Sequence, residues 1–475
     1  MIFIIENLGI LEKAKVDLDN DFILLCGHNN TGKSYLAYGI YHLLTMKHDS
    51  SLPDEYSLKD IKLYSPRLED NLRNKIAEGK WVGHKFSINL LDIFRTGLSQ
   101  TNFFEHVGKL YQDTLGHFFA FPNHVSFSAT KVDIALSEKE IEQKIRLNSF
   151  EFISALEIVS QEVQLSVSKQ ANSAYLSLTF GIDNAKNYGE PLTECMVGEI
   201  FAAIVDSIFN FRAYIAPAER SAINIFSREL SLIKNQLFTR LLKSNKNSTE
   251  MFDLLRRRVE RYPKPLRDNL SMAEDLLILS KKTSQFAHLA EELEQRILKG
   301  KISISPESEV KYTPFNAPTH SLEVPLTSSL VKSLSNLVFY FRYLAKAGDY
   351  IIIDEPELNL HPDNQILMAR FLGRLVNEGF KVIASTHSDY IVREINNLIM
   401  LSTPDEQTAD FIKKYGYTNH QLLKPEQIGA YLFEEGSQCA ETIEVSETGL
   451  EIETIDQVVK KLNQSSQDIY FSVFD

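Results

Sequence analysis

The stretch CGHNNTGKS, residues 26–34, decides how the rest of the sequence is interpreted. It follows a short apolar run, DFILL, and precedes YLAYGIYHLL, so it lies between a predicted strand and a predicted helix. Residues Gly27 to Ser34 match G-x-x-x-x-G-K-[ST]. Glycines let such a turn wrap so that successive backbone N–H groups point inward, and the following helix adds the positive end of its dipole. The stretch therefore predicts a phosphate-binding loop.

The last two residues of this loop have separate expected roles. Lys33 is expected to contact the β- and γ-phosphates of a nucleotide, and the Ser34 hydroxyl to bind Mg²⁺. The alternative is a chance match in a helix-capping turn. The candidate nucleotide-binding residues are Gly27, His28, Asn29, Asn30, Thr31, Gly32, Lys33, Ser34 and Tyr35.

A second motif, YIIIDEPELNLHP, supplies carboxylates at the end of a predicted buried strand. Asp354 is the candidate magnesium ligand, and Glu355 directly after it is placed to orient or deprotonate a water. The alternative is an Asp-Glu pair that merely ends a strand before a proline turn. With the phosphate loop in the same chain, the catalytic interpretation is favoured.

A third motif, KVIASTHSDY, reads as another buried strand that ends in Thr386, His387 and Ser388. The carboxyl ends of parallel strands line one crevice, so His387 is expected beside the nucleotide, where it would sense the γ-phosphate. The alternative is a histidine that caps the next helix.

In this order and at this separation, the three motifs resemble those of an ABC-type ATPase head of the RecF/SMC/OLD kind. Proteins of bacterial antiphage operons known as AAA family ATPases are similar. The resemblance covers residues 1–45 and 300–400 well and implies an α/β P-loop NTPase fold of ABC-ATPase type, with a mixed central sheet and a helical insertion. It implies ATP and Mg²⁺ as cofactors, with Asp354 as the magnesium carboxylate, Glu355 as the catalytic base and His387 as the switch histidine.

The resemblance also implies a contact with a second protomer. Asn359, His361 and Pro362 fall in the D-loop region, which meets the opposite protomer in such heads. The usual LSGGQ-like signature is replaced by PLTSSLVKSL, which has no glycine or glutamine. Ser328 and Ser329, next to Thr327, can still bind a γ-phosphate across a dimer, since hydroxyls at a helix start are good anion ligands. The alternative is a plain helix cap.

The pattern along the chain predicts three parts. Residues 1–220 hold the first part of the head, with a mixed helical and strand insert at about 48–160. Residues 221–300 are a helical insertion. Residues 301–475 hold the signature-like helix, the two later motifs and a last helix, TIDQVVKKLN; DYIVREINNLIML is expected to be a helix followed by a strand.

Composition excludes several classes of protein. The 475 residues are 44% hydrophobic with a net charge of −13, which argues against a surface covered in nucleic acid. Three separated cysteines, without metal-ligand spacing, fit a reducing cytoplasm. No run is apolar enough for a membrane span, and the N-terminus lacks a basic region and a cleavage site of a signal peptide.

Two further stretches leave their role open. In YIAPAERSAINIF, Glu219 or Arg220 is expected to reach the nucleotide or DNA side, or else to form a surface ion pair. In LLRRRVERYPKPLRD, a cluster of cations is either a nucleic-acid contact or, slightly favoured, a solvated helix face paired with nearby acids. These cations are Arg256, Arg257, Arg258, Arg261, Lys264 and Arg267.

The functional hypothesis is an ATP-hydrolysing subunit, slow and regulatory, that forms a nucleotide-dependent dimer or higher homo-oligomer. The resemblance to the ATPases of Septu, PARIS and retron-linked antiphage systems implies that it controls a separately encoded nuclease or toxin. No Toprim, HNH or zinc pattern appears in the sequence, which favours this hypothesis. The alternatives are a RecF/SMC-like ATP-gated repair protein, with DNA or RNA as partner, and a scaffold with negligible turnover.

Overall fold

The structure is a computed structural model, and it describes residues 1–46, 66–78, 80–82, 84–97, 100–121, 127–158, 161–181, 189–225, 261–305, 309–451 and 453–474. The cations Arg256, Arg257 and Arg258 and residues 226–260 of the insertion predicted at 221–300 lie outside the described residues. None of the helices in the described ranges is long and apolar enough to cross a membrane.

The described strands occur mostly in runs of two to four, separated by helices. The strands are β1 Ile2–Leu8, β2 Leu11–Asp17, β3 Phe22–Gly27, β4 Lys80–Val82, β5 Lys85–Asn89, β6 Lys131–Ala135, β7 Phe150–Ile158, β8 Gln161–Lys169, β9 Tyr175–Phe180, β10 Ala213–Ala216, β11 Gly300–Ile304, β12 Val310–Pro314, β13 Leu322–Glu323, β14 Tyr350–Asp354, β15 Lys381–Thr386, β16 Ile428–Phe433, β17 Glu441–Ile443, β18 Val445–Ser446 and β19 Gly449–Leu450.

The described α-helices range from one turn to six. They are α1 Lys33–Thr45, α2 Pro66–Glu78, α3 Leu90–Gly97, α4 Gln100–Phe118, α5 Glu138–Leu147, α6 Gly189–Ile208, α7 Lys264–Glu274, α8 Leu276–Leu279, α9 Ala287–Leu293, α10 Ser329–Phe339, α11 Pro362–Asn377, α12 Asp389–Met400, α13 Glu406–Lys414 and α14 Glu453–Phe474. Short π-helical turns, Glu294–Leu298 and Tyr340–Leu344, continue α9 and α10.

The chain forms two compact units. The first comprises Met1–Ile5, His42–Leu115 and Thr130–Phe211, and the second comprises Glu6–Tyr41, Gly116–Ala129 and Arg212–Asp475. The first unit contains a five-stranded antiparallel sheet in the order β4-β5-β9-β8-β7. Alternate residues of β9 are buried, as expected for a sheet with one face on a core. Strands β8 and β9 pair as an antiparallel hairpin on either side of the QANS stretch, residues 170–173.

The second unit is built on a six-stranded sheet in the order β10-β14-β15-β3-β16-β17. Its neighbours are parallel except for the β16–β17 pair, so the sheet is mixed, as predicted. Strands β3 and β14 are buried along their whole length, which fits apolar strands covered on both faces. The parallel order places the carboxyl ends of β14, β15 and β3 side by side.

Helices complete the core of the second unit. Leu334 and Leu337 of α10 and Phe371, Leu372 and Leu375 of α11 belong to one buried cluster with the central strands. The predicted strand at the end of DYIVREINNLIML is wrong, because α12 continues as a helix to Met400. Its apolar residues recur at helical spacing, and the helix buries that face. The last helix is also longer than TIDQVVKKLN, since α14 runs from Glu453 to Phe474.

Candidate active site

The loop between β3 and α1 has the backbone that its glycines predict. Gly27 and Gly32 have φ values of 135° and 103°, and Asn30 has a φ of 60°. These values lie in the left-handed region that glycine adopts at no steric cost and that asparagine tolerates. A Cβ atom at Gly27 would also lie 2.1 Å from the carbonyl oxygen of Phe433. The loop conformation therefore requires a glycine at position 27.

The side chain of Lys33 is folded onto this loop. It is buried, and its Nζ donates to the carbonyl oxygens of Gly27 and His28 at 3.0 and 2.5 Å. The Thr31 hydroxyl donates to the same His28 oxygen at 2.7 Å. Burial lowers the pKa of Lys33, and the neighbouring carboxylates, Asp354 first, oppose that effect. The ammonium is thus held inside the loop and faces the acidic end of β14.

The remaining residues of the predicted loop differ in their exposure. Asn29, Asn30 and Ser34 are exposed, whereas His28 and Tyr35 are half-buried. The structure therefore leaves the outer rim of the loop open to solvent and closes its floor around Lys33. Cys26, directly before the loop, is buried, and burial raises its thiol pKa to about 12.

Two predicted magnesium ligands meet across the sheet. The Ser34 hydroxyl donates to Asp354 Oδ1 at 3.1 Å. The Ser385 hydroxyl donates to the same oxygen, because Ser385 and Asp354 are paired in the register of β15 and β14. Asp354 is 1% exposed, and burial raises its pKa, while the hydrogen bonds from Ser385 and Ser34 oppose the rise. This arrangement offers hard oxygen ligands at the mouth of the phosphate loop.

The donor set fits Mg²⁺ better than a cation that needs a complete protein cage. Mg²⁺ is held by one or two carboxylates together with substrate phosphates and water. No group of three His, Cys, Asp or Glu side chains suited to a metal occurs in the described part of the chain. Asp354 and Ser34 therefore match the partial coordination that a phosphate-bound Mg²⁺ requires. Ser385 was missed from the sequence; its only signal is a hydroxyl at the end of the neighbouring strand.

Glu355 follows Asp354 but has a different environment. Its backbone turns sharply, with a φ of 53°, and its N–H donates to the Ser385 carbonyl oxygen at 3.0 Å. The turn brings the Glu355 side chain out of the core, where it is 29% exposed. A non-glycine residue in this conformation costs free energy that the surrounding structure must offset. The two adjacent carboxylates are thereby separated into one buried group and one that water can reach.

Arg220 fixes this turn from beneath. It is 2% exposed, and its guanidinium donates to the carbonyl oxygens of Asp354 and Glu355, each at 2.6 Å. Burial lowers the pKa of Arg220, and the nearby carboxylates, Asp354 first, oppose that effect. Glu219 accepts a 3.2 Å hydrogen bond from the hydroxyl of Tyr38. Neither residue forms an ion pair with another residue of the described ranges, and Arg220 supports the backbone that carries both carboxylates.

His387 lies beside the two glutamates of the DEPE motif. Its Nδ1 is 3.3 Å from Glu357 Oε1 and 3.9 Å from Glu355 Oε1, and its side chain is 42% exposed. The structure therefore places the predicted switch histidine next to the predicted base. Glu357 was not singled out from the sequence. Its signal is a second carboxylate two residues after Glu355, which would lie on the same turn.

The serine-rich helix start is exposed. Ser328 caps α10, with its Oγ accepting from the Val331 N–H at 3.5 Å, and Thr327 Oγ1 donates to the Val324 carbonyl oxygen at 2.6 Å. Ser328 and Ser329 are open to solvent. Among the described residues, no hydrogen bond joins either side chain to the phosphate loop. The cap alternative is thus confirmed as a structural role, and a role across a dimer stays a prediction.

The predicted D-loop contacts the same helix within the chain. Asn359 has a φ of 63°, and its Nδ2 donates to the Ser333 hydroxyl at 2.8 Å. Ser333 in turn donates to the Ser329 carbonyl oxygen at 2.8 Å. His361 and Pro362 begin α11, where His361 is the capping residue. One hydrogen-bonded path therefore connects the turn after Glu355 to the start of α10.

Comparison with known proteins identifies this class of site. The phosphate loop, the buried Asp354 and the parallel strands that carry them define a P-loop ATPase domain. The chain belongs to the AAA ATPase domain family, whose model matches residues 1–392. No curated protein matches the sequence.

Two solved structures are similar over most of their length. One is an Smc head bound to the C-winged helix domain of ScpA; it has 10% identity, covers 94% of this chain and 97% of that chain, and has a TM-score of 0.34. The other is an Smc head domain with an extended coiled coil, bound to the C-terminal domain of ScpA derived from Pyrococcus furiosus. It has 11% identity, covers 97% and 98%, and has a TM-score of 0.28.

Proposed function

We propose that this site binds ATP with Mg²⁺ and hydrolyses it. The observation that carries the proposal is the 3.1 Å contact between Ser34 Oγ and Asp354 Oδ1 at the mouth of the phosphate loop. It unites the end of the loop, on α1, with the end of β14, which is the arrangement that a phosphate-bound magnesium needs.

The proposed roles of the residues follow from whether each side chain is buried or reaches solvent. Lys33 would exchange its bonds to the loop carbonyl oxygens for bonds to the β- and γ-phosphates. When bound, Mg²⁺ supplies positive charge to the phosphate oxygens. Glu355, outside the core, would accept a proton from the attacking water. His387, 3.9 Å from Glu355, is placed to respond to the charge of the γ-phosphate.

Binding of ATP in the presence and absence of Mg²⁺ tests the metal assignment. We expect Mg²⁺ to tighten ATP binding by the wild-type protein and to have little effect on the Asp354→Asn variant, which keeps an acceptor oxygen but loses the charge. Asp468→Asn, which alters an exposed helix residue, is the matched control and should respond to Mg²⁺ as the wild type does. Equal responses in all three proteins would refute the assignment.

The exposed start of α10 supports self-association as part of the cycle. Ser328 and Ser329 present hydroxyls at a helix N-terminus without a hydrogen bond to the loop of their own chain, so a second protomer could use them on its γ-phosphate. The test is the solution mass of the Glu355→Gln variant with and without Mg-ATP. A shift to two or more protomers with ATP supports this step, and a monomer at every nucleotide concentration refutes it.

The larger role that we propose is slow, regulatory ATP turnover that controls a separately encoded effector in antiphage defence. This proposal rests on the resemblance of the motifs to defence ATPases and on the lack of a second catalytic motif in the sequence. Purification of the Glu355→Gln variant together with its native neighbouring genes is the test. A nuclease or toxin that co-purifies supports the proposal.

A chain that purifies alone and binds DNA with ATP would instead favour the RecF/SMC-like alternative. Among the described members of the predicted cation cluster, Arg261 is exposed and the other two are buried. Lys264 and Arg267 are both buried, and Lys264 pairs with Asp268 at 3.2 Å. The two cations are therefore not available to phosphate groups of a nucleic acid.

A further inference from the structure

The carboxylate of Glu357 lies between the turn that follows β14 and the end of β15. It is 6% exposed, and it belongs to the tight turn that follows Glu355, where the Leu358 N–H donates to the Glu355 carbonyl oxygen at 3.0 Å. Its Oε1 accepts from the Thr386 hydroxyl at 2.8 Å and from the His387 backbone N–H at 2.9 Å. One oxygen atom thereby fastens the turn after β14 to the end of β15.

The same oxygen also faces the ring of His387. Glu357 Oε1 is 3.3 Å from His387 Nδ1, whereas Glu355 Oε1 is 3.9 Å from that nitrogen. The tautomer of a histidine is set by the hydrogen bond that one ring nitrogen makes. Glu357 Oε1 is near enough to accept a proton from Nδ1, and with a proton on Nδ1 the Nε2 atom is the ring nitrogen that can meet a ligand. The shorter distance to Glu357 favours this pairing of His387 over one with Glu355.

Only one of the two carboxylate oxygens of Glu357 is hydrogen-bonded within the described structure. Its second oxygen, Oε2, is buried and has no hydrogen-bond partner among the described residues. A buried acceptor without a partner costs folding free energy. An apolar side chain at this position would avoid the burial of Oε2 but would leave the Thr386 hydroxyl and the His387 N–H without this acceptor. Residues that keep such an uncompensated polar atom are expected at functional sites.

We propose that Glu357 is a positioning residue for ATP hydrolysis: it holds His387 by Nδ1, so that the ring faces the nucleotide with Nε2 and Glu355 stays free to accept the proton of water. This inference rests on the proposed function. Glu357 itself touches neither nucleotide nor water in this scheme, so its loss should affect turnover and leave ATP binding intact.

The kinetic test compares Glu357→Ala and Glu357→Gln with the wild type. We expect kcat to fall about tenfold in the alanine variant, as is typical when a supporting group is removed, with KM changed by less than about twofold. The glutamine variant keeps an acceptor oxygen for Thr386 and His387 and should recover part of the loss. Glu294→Gln, which alters another buried carboxylate of the same unit, is the control and should leave kcat unchanged.

A double-mutant cycle with His387 separates this role from a structural one. If Glu357 acts through His387, the Glu357→Ala/His387→Ala protein should be no slower than His387→Ala, within about a factor of two. Independent losses that multiply would overturn the proposal. An unchanged kcat in Glu357→Ala would also overturn it. So would a variant whose defect is a raised KM together with a lowered melting temperature.

A spectroscopic readout does not depend on turnover. If the wild type does not hydrolyse ATP, the proposed function is refuted, and the contact between Glu357 and His387 can still be tested separately. In protein labelled with ¹⁵N-histidine, the His387 resonances are assigned by their loss in His387→Gln. At a pH where the ring is neutral, we expect the proton on Nδ1 in the wild type and a changed tautomer in Glu357→Ala. The same tautomer in both proteins would overturn the positioning role.

Discussion

Arg220 and Glu355 are joined through the backbone and not through their charges. The guanidinium of Arg220 donates to the carbonyl oxygen of Glu355 at 2.6 Å, and the Glu355 side chain points away to a partly exposed position. A buried cation thus holds the main chain of the turn, and the carboxylate remains available for chemistry. The backbone geometry of Asp354 and Glu355, the proposed metal ligand and base, therefore depends on the buried Arg220.

This relationship predicts the effect of Arg220→Lys. Lysine keeps the charge but lacks the planar fork that reaches two carbonyl oxygens at once. One buried acceptor would lose its partner, at a cost of about 1–3 kcal/mol. We expect a lower midpoint of denaturant unfolding and a lower kcat. Arg393→Lys, which changes an exposed pair with Asp389, should change the free energy of unfolding by less than about 0.5 kcal/mol.

An unchanged midpoint in Arg220→Lys would show that the two hydrogen bonds do not support the turn. A lower midpoint with an unchanged kcat would show that the turn tolerates their loss without moving Glu355.

The buried position of Lys33 predicts the effect of its removal on nucleotide affinity. In Lys33→Ala, the charge-assisted bond to phosphate is lost, which corresponds to about 1.5–3 kcal/mol, or roughly 10- to 100-fold in Kd. Titration calorimetry with ATP measures this change. Lys381→Ala is the control, because Lys381 pairs with Asp21 at the opposite end of β15. Equal affinities in wild type and Lys33→Ala would contradict the assignment of the loop.

The raised pKa of Asp354 predicts a pH-dependent cost of folding. Between the unfolded pKa of about 3.9 and the higher folded pKa, the folded chain keeps a proton that the unfolded chain has released. Stability contributed at this site therefore falls as the pH rises through that window. In EDTA and without nucleotide, Asp354→Asn should be more stable than wild type at pH 8, on the order of 1 kcal/mol, and less so at pH 5.

Thermal unfolding at the two pH values measures this difference, and the exposed Asp468→Asn variant controls for a general charge effect. A variant that is less stable than wild type at pH 8 would contradict the prediction, because the hydrogen bonds from Ser34 and Ser385 would then outweigh the cost of burial.

The turn at Asn359 predicts two separable effects on stability. Asn359→Gly keeps the left-handed backbone and loses only the bond to Ser333, at a cost of about 1 kcal/mol. Asn359→Ala adds the strain of a left-handed alanine, about 1 kcal/mol more. The unfolding midpoint of Asn359→Ala should therefore be lower than that of Asn359→Gly, and both should be lower than that of the wild type. If the alanine variant were the more stable, the backbone assignment of this turn would be wrong.

The sequence predicts the parts of the site that depend on local pattern. The spacing from Gly27 to Ser34 specifies a turn that only a few residue types can form, and apolar strands before Asp354 and His387 place both at one edge of a parallel sheet. The helical stretches follow from periodicity in the same way, whereas the mixed sheet was expected from the resemblance to ABC-type ATPase heads.

The contacts that were missed depend on the relative placement of distant segments. Ser385 meets Asp354 because of strand register, and Arg220 meets two carbonyl oxygens 134 and 135 residues away. Glu357, on the turn after β14, meets His387 at the end of the neighbouring strand β15. Backbone acceptors leave no mark in a sequence, so a cation bound to them looks like any other arginine. The wrong strand at the end of α12 has a different cause: a short apolar stretch does not by itself distinguish a buried helix face from a buried strand.

The most direct test of the account is phosphate release from Mg-ATP by the wild-type and Glu355→Gln proteins at equal occupancy of the site. The account predicts similar affinities for ATP and a wild-type rate at least about 100-fold higher, as expected when a general base is removed. Equal rates in the two proteins would contradict the role of Glu355 as the base, and a wild-type protein that binds no ATP would contradict the site itself.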